Sequence, residues 1–209
     1  MNTVILAAGL FPTTDHALSH LRRAHFIACC DGAADACLAA GFTPDLIVGD
    51  GDSVSPAVRH RWADRLVIDP DQETNDLTKA VRHCLALGHR DLTLLGATGR
   101  REDHTLANIA LLMDYARLLP TPLGAPPRVR MVSDFGTFYP AVDQITLALE
   151  VGTEVSIFSF GATHFSARGL QYPLYDFTRL WQGTLNVAIR PEVRIDARGP
   201  FCVYVALPD

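Results

Sequence analysis

Through its first 119 residues the chain alternates short apolar runs with segments of helical periodicity, and each apolar run stops at a Gly or an Asp. Thr3–Ala8 (TVILAA) ends at Gly9, Phe26–Cys30 (FIACC) at Asp31-Gly32, and Leu46–Val48 at Gly49-Asp50. Leu66–Ile68 ends at Asp69-Pro70, and Leu92–Leu95 at Gly96. Between them, residues 16–24, 33–40, 75–87 and 104–118 read as helices. In the third helix Leu77, Val81, Cys84 and Leu85 share a face, with Thr74 as the expected N-cap and Gly88 as C′. In the fourth, Leu106, Ile109, Ala110 and Met113 form the expected apolar face. Strands alternating with helices imply a mainly parallel sheet with helices on both faces.

The pattern breaks at Leu119–Pro127 (LPTPLGAPP), where four prolines and a glycine suit a linker. Beyond it, Val129–Val132, Gln144–Leu149, Glu154–Phe158, Leu185–Ile189, Val193–Ile195 and Phe201–Ala206 are short runs separated by Gly and Pro, with no convincing long helix. The expected fold is therefore an α/β N-terminal domain over residues 1–125, followed by a smaller antiparallel, sandwich-like all-β domain over residues 126–209. Arg128–Val132 is an alternative last strand of the first sheet.

A net charge of −5 argues against a nucleic-acid or anionic-membrane binder. No run approaches the ~18 apolar residues of a membrane span. Residues 1–8 show no basic start followed by a long apolar run, so no signal peptide is expected. The five cysteines are odd in number, lack a CxxC and sit in apolar stretches. Free buried thiols in a reducing, cytoplasmic compartment are expected.

The acids are unevenly used. Of 23 acidic residues, 18 are Asp, and nine of those fall between Asp31 and Asp76, where Asp31, Asp50, Asp52, Asp69 and Asp71 follow apolar runs. In an open parallel sheet, the loops after the strands share one edge, where ligands bind. Carboxylates gathered there need neutralising, and Mg²⁺, a hard cation held by one or two carboxylates plus substrate phosphates, is the natural partner. Asp50 and Asp52, at i and i+2, can reach one ion, and Asp76 opens the next helix nearby. Taken singly, each Asp is equally a turn former or helix cap. Lys79, the chain's one lysine, suits a phosphate as a compact point charge, or else pairs with Asp76 three residues before it. Gly96 and Gly99, followed by Arg100 and Arg101, offer backbone N–H groups and charge to phosphates. Asp103 reads as a metal ligand or helix cap, and His104 as a base or a capping residue.

Four ordered segments together resemble the thiamine pyrophosphokinase family. They are Asp31-Gly32-Ala33-Ala34; Pro44 through Ser53, with Gly49-Asp50-Gly51-Asp52-Ser53 at its end; Asn75-Asp76-Leu77-Thr78-Lys79-Ala80; and Gly96 through His104. Asn75 stands where the family pattern has Thr. The resemblance implies Mg²⁺-dependent transfer of the terminal pyrophosphoryl group of ATP to the hydroxyl of thiamine, giving thiamine diphosphate and AMP. By the same resemblance, Asp50, Asp52 and Asp76 hold Mg²⁺ on the triphosphate, while Arg101 and Asp103 contribute to nucleotide and phosphate binding. Asp31, Gly32, Lys79, Gly96, Gly99 and His104 join that ATP site. A carboxylate takes the hydroxyl proton, with Asp76 and Asp103 as candidates. The family is also dimeric, with thiamine between one subunit's first domain and the partner's β domain. Gly169 through Leu174 (GLQYPL) matches a further family segment, and Gly183-Thr184-Leu185-Asn186 lacks the serine of another. Tyr172, Trp181 and Asn186 are the candidate thiamine contacts, although Tyr172 and Trp181 also read as β-domain core.

Other readings compete: a pyrophosphokinase for another heterocyclic alcohol, a metal-dependent phosphohydrolase, and a non-catalytic nucleotide-binding module. A haloacid-dehalogenase-type phosphohydrolase wants its nucleophilic Asp directly after the first strand, but Asp50 and Asp52 follow the third. The first strand also lacks the glycine fingerprint of a dinucleotide dehydrogenase.

Overall fold

The computed structural model describes residues 2–122 and 125–208. Leu123 and Gly124, in the middle of the expected linker, lie outside the described residues. Two compact units emerge: Met1–Asn108 with Val132–Asp134, and Ile109–Met131 with Phe135–Asp209.

The first unit is built from β1 (Asn2–Leu6), α1 (Asp15–Arg22), β2 (Phe26–Cys30), α2 (Ala33–Ala39), β3 (Leu46–Gly49), α3 (Pro56–Arg61), β4 (Leu66–Ile68), α4 (Asp76–Ala86) and β5 (Asp91–Leu95). The strands lie in the order β5-β1-β2-β3-β4, and every pair is parallel. The chain runs outward from β1 to β4, then returns to place β5 on the other flank of β1. The strand order thus reverses at β1, and the loops after β1 and β5 border the crevice where an open parallel sheet binds ligands.

Side chains alternate between the sheet faces. Val4, Leu6, Ile27, Cys29 and Ile47 pack with Ala17 and Leu21 of α1, Ala33 and Cys37 of α2 and Val58 of α3. The alternate residues Ile5, Ala28, Cys30 and Val48 are buried on the other face, where α4 brings Leu77, Ala80, Val81 and Cys84. Helices therefore cover both faces, as expected. The helix α4 is capped by Asn75, whose Oδ1 accepts from Thr78 N at 3.0 Å, and not by Thr74. The Thr74 hydroxyl is already engaged, donating to Asp71 Oδ2 at 2.7 Å. Helix α3 was not expected from periodicity, being only six residues long. Its local signal is nonetheless present: Ser55 caps it and Pro56 sits in its first turn.

Helix α5 (Glu102–Leu118) begins in the first unit, and β6 (Val129–Ser133) is divided between the units at Met131 and Val132. The second unit carries β7 (Gly136–Ala148), β8 (Glu154–Ser159), β9 (Thr163–Arg168), β10 (Asn186–Val187) and β11 (Glu192–Ala206). Here β11 pairs antiparallel with β7, β8 and β9, and β8 with β10. Val193–Ile195 and Phe201–Ala206, which read as two runs, are one strand. The intervening residues form an irregularity between Asp196 and Pro200 that interrupts the register without ending the strand. Ile145, Leu147, Val155, Ile157, Phe165, Ile195, Phe201 and Val203 fill its core. All five cysteines are buried and free. Among the described residues, no helix is long and apolar enough to cross a membrane.

One carboxylate ties the end of β6 to the start of α1. Asp134 accepts from the amides of Thr13 and Thr14 at 3.0 Å, and from their hydroxyls at 2.6 and 2.9 Å. Thr14 in turn caps α1 by accepting from Ala17 N. Burial pushes the Asp134 carboxyl up, but the Thr13 and Thr14 bonds outweigh it and leave its pKa lowered. Asp134→Ala should reduce the unfolding free energy by about 2 kcal/mol at pH 7 in urea denaturation. Because the folded pKa is the lower one, this difference should be full above the ordinary carboxylate value of 3.8 and fade as the pH falls through the lowered value.

Candidate active site

The site grows from the end of β2. Asp31 adopts a left-handed backbone (φ 39°), donates its amide to Val48 O at 2.8 Å, and is only 2% exposed. Its side chain lies against Gly49 at the end of β3. A Cβ on Gly49 would fall 2.6 Å from Asp31 Cβ, so no larger residue leaves Asp31 in place. Asp31 Oδ2 accepts from Ser53 N at 2.9 Å, which folds the loop after β3 back onto β2. Gly51, at φ 80°, lets that loop turn between two acids. Asp50 Oδ1 accepts from Asp52 N, and Ser53 Oγ donates to Asp52 Oδ1 at 2.8 Å.

The result brings Asp31, Asp50 and Asp52 together, with an oxygen from each within 4.8 Å of the others. Asp31 Oδ1 is buried and has no hydrogen-bond partner among the described residues. Burial raises the Asp31 pKa, the Ser53 amide opposes this, and the charges of Asp76 and Asp50 raise it further. The Asp52 carboxyl is lowered, chiefly by the Ser53 hydroxyl.

Lys79 answers part of this charge. Its side chain is 3% exposed, and its Nζ meets Asp76 Oδ1 at 3.2 Å. Burial opposes the ammonium, but the Asp76 bond and the charges of Asp76, Asp50 and Asp69 outweigh it and raise its pKa. Lys79 thus faces Asp50, Asp69 and Asp76, and the Arg59 guanidinium lies against Gly51, between Asp50 and Asp52. A buried carboxylate oxygen without a donor, beside two further carboxylates, fits a hard divalent cation.

Beside this set, a cavity of about 340 Å³ is lined by Ala7, Gly9, Asp76, Thr98, Arg101 and His104, among others. Gly9 N and Leu10 N donate to the carbonyls of Gly96 and Thr98 at 2.7 and 2.8 Å. The amides of Ala97 and Gly99 share those planar trans peptides and so point away from the β1 loop. Gly32 lies across the site against Ser53. Arg101 clasps Asp103 with Nη2 at 2.6 Å and Nε at 3.1 Å, in the open. The Arg101 guanidinium and the His104 amide hold the Asp103 carboxyl down at about 2, so it is a weak proton acceptor. Asp103 does not join the three-carboxylate group, and neither does Asp76, which lies in the cavity wall.

The three candidate contacts in the β unit differ. Asn186 is buried, and its amide bonds the Tyr172 backbone at both N and O, at 3.1 and 2.9 Å. Tyr172 is 54% exposed and Trp181, on a short 3-10 turn, is 70% exposed, so neither serves as core.

Residues 14–119 match the family description "thiamin pyrophosphokinase, catalytic domain", and residues 136–204 match "thiamin pyrophosphokinase, substrate-binding domain". The chain belongs to the thiamin pyrophosphokinase family. Its activity is accordingly that of a thiamine diphosphokinase, with ATP and thiamine as substrates. The thiamin pyrophosphokinase crystal structure from Geobacillus thermodenitrificans superposes with a TM-score of 0.79 at 22% identity, covering 100% of this chain and 99% of that one. The Candida albicans enzyme gives a TM-score of 0.81 at 17% identity, over 99% and 90% of the two chains. At such identities these structures speak for the fold, and the family's catalytic part coincides with the acidic edge described above.

The site also holds a residue that periodicity missed. The expected apolar face of α5 included Leu106, which is 62% exposed. Of that face Met113 is buried, and the other buried positions are Asn108, Leu112, Tyr115 and Ala116, so Asn108 is a polar residue on a buried face.

Crowded carboxylates imply a trade between stability and function. Asp31→Asn keeps an acceptor for Ser53 N and suits the left-handed backbone. It should raise the unfolding free energy of the cation-free protein by about 1 kcal/mol at pH 8. Because the folded pKa of Asp31 is raised, the penalty grows as pH rises through it, so the gain should shrink toward pH 4 in thermal denaturation with a chelator.

Proposed function

We propose that the thiamine diphosphokinase reaction runs at the carboxyl edge of the parallel sheet, with Mg²⁺ held by Asp50, Asp52 and Asp76 together with Asp31. The observation that carries this reading is the Asp31–Asp50–Asp52 group, with one buried oxygen that no donor among the described residues reaches. Bound there, the ion would neutralise triphosphate oxygens and polarise the phosphoryl group under attack. Lys79, Arg101 and the amides of the Gly96–Gly99 loop bind and orient the phosphates, with Gly32 giving the loop after β3 its close approach. His104, in the cavity wall beside Arg101, joins this ATP site. Pyrophosphoryl transfer asks mainly for such positioning and charge neutralisation. Asp76 is a better acceptor for the hydroxyl proton than Asp103, since Arg101 already engages Asp103.

In this reading, residues 1–125 supply ATP and Mg²⁺ binding, and residues 126–209 supply thiamine binding and a homodimer interface. Tyr172 and Trp181 offer exposed aromatic faces to the thiamine rings, and Asn186 sets the Tyr172 backbone. The exposure of Tyr172, Tyr175, Leu180, Trp181 and Leu185 within one short stretch supports coverage by a second copy. Five buried free thiols support a reducing, cytoplasmic location.

Incubation with ATP, Mg²⁺ and thiamine should yield AMP and thiamine diphosphate in equal amounts by mass spectrometry. ADP, or phosphate released without an acceptor, would count against the reading and favour a kinase or a phosphohydrolase. Asp52→Asn should cut turnover by at least 10²-fold with the circular dichroism spectrum unchanged. Retained turnover would remove Asp52 from the metal site.

A further inference from the structure

Asn75 and Asn108 form a chain of amides between two backbone groups of the site. Thr78 N donates to Asn75 Oδ1 at 3.0 Å, Asn75 Nδ2 donates to Asn108 Oδ1 at 3.1 Å, and Asn108 Nδ2 donates to Ala97 O at 2.8 Å. The ends of this chain decide its direction. Thr78 N can only donate, so Asn75 must present its oxygen there and its NH₂ to Asn108. Ala97 O can only accept, so Asn108 must present its NH₂ there and its oxygen to Asn75. Flipping either amide sets two donors or two acceptors face to face. Asn108 is 8% exposed, so a broken link is costly. Both residues line the cavity that also holds Asp76, Thr98 and Arg101.

The three elements joined are the first turn of α4, which carries Asp76 and Lys79, the Gly96–Gly99 loop, and α5, which begins just after Arg101. A Thr at position 75, as in the family pattern, would cap α4 but has no NH₂ to extend toward Asn108. We infer that the Asn75–Asn108 relay is a positioning device for ATP, holding the Gly96–Gly99 loop in register with the Asp76–Lys79 turn. Neither residue is a catalytic residue in this assignment. The inference rests on the ATP site proposed above, and its effect is on nucleotide binding, not on thiamine.

The test is a double-mutant cycle read by calorimetric titration of ATP–Mg²⁺. Asn75→Ser keeps a good cap and removes the NH₂. Asn108→Leu removes both links at similar volume. Each should weaken ATP binding about fivefold, the weight of one neutral hydrogen bond. The double variant should be little worse than Asn108→Leu alone, because the two residues act as one unit. KM for ATP should rise in step, with KM for thiamine within about twofold of the unaltered enzyme, a split that general loosening would not produce. A roughly 25-fold loss in the double variant, equal losses for both substrates, or unchanged ATP affinity would each overturn the relay. Asn75→Ser, the milder change, decides the matter if Asn108→Leu does not fold. Thiamine-dependent AMP formation by the unaltered protein is measured separately, so failure of the activity leaves the binding result readable.

Discussion

The contact of Asp31 with Gly49 is what the rest of the acidic edge depends on. Parallel strands β2 and β3 end side by side, and the missing Cβ of Gly49 lets a carboxylate lie between their ends. From there Asp31 accepts the amide of Ser53 and turns the β3 loop inward, which carries Asp50 and Asp52 to it. A parallel sheet makes such convergence possible, because its crossovers place every strand's carboxyl end on one side.

Convergence of charge opposes folding. Asp31 is held near other acids with one oxygen unpaired among the described residues, and Lys79 answers from the buried face of α4. A protein selected for stability alone would not keep this arrangement, whereas the cation and polyphosphate site proposed above would. The Arg101–Asp103 clasp is different. It lies in solvent, contributes little to stability, and keeps a guanidinium poised at the cavity rim.

Polar side chains in the first unit serve mostly as joints. Asp134 collects four donors from two threonines, and Asn75 and Asn108 pass one bond direction between the first turn of α4 and the Gly96–Gly99 loop. Each joint links residues distant in sequence, and each occupies a position where an apolar residue would leave backbone groups unpaired. In the second unit Asn186 does the same for the bend at Tyr172.

The alternation of apolar runs and helices was enough by itself to specify a parallel α/β sheet, because periodicity is a local property of each segment. The Asp and Gly at the strand ends likewise marked one acidic edge, since topology sends all those loops to one side. Local signals were weaker where elements are short or broken: α3 hides in six residues, and β11 runs through Gly199-Pro200, which read as a separator. Tertiary structure alone decided which acids meet. Asp31 joins Asp50 and Asp52 because Gly49 admits it, a fact of close approach between strands with no trace in spacing. It also decided that Asn108 faces inward on α5 while Leu106 faces out. A buried polar residue is stable only with a partner supplied from elsewhere in the chain, and that partner cannot be read from the helix itself.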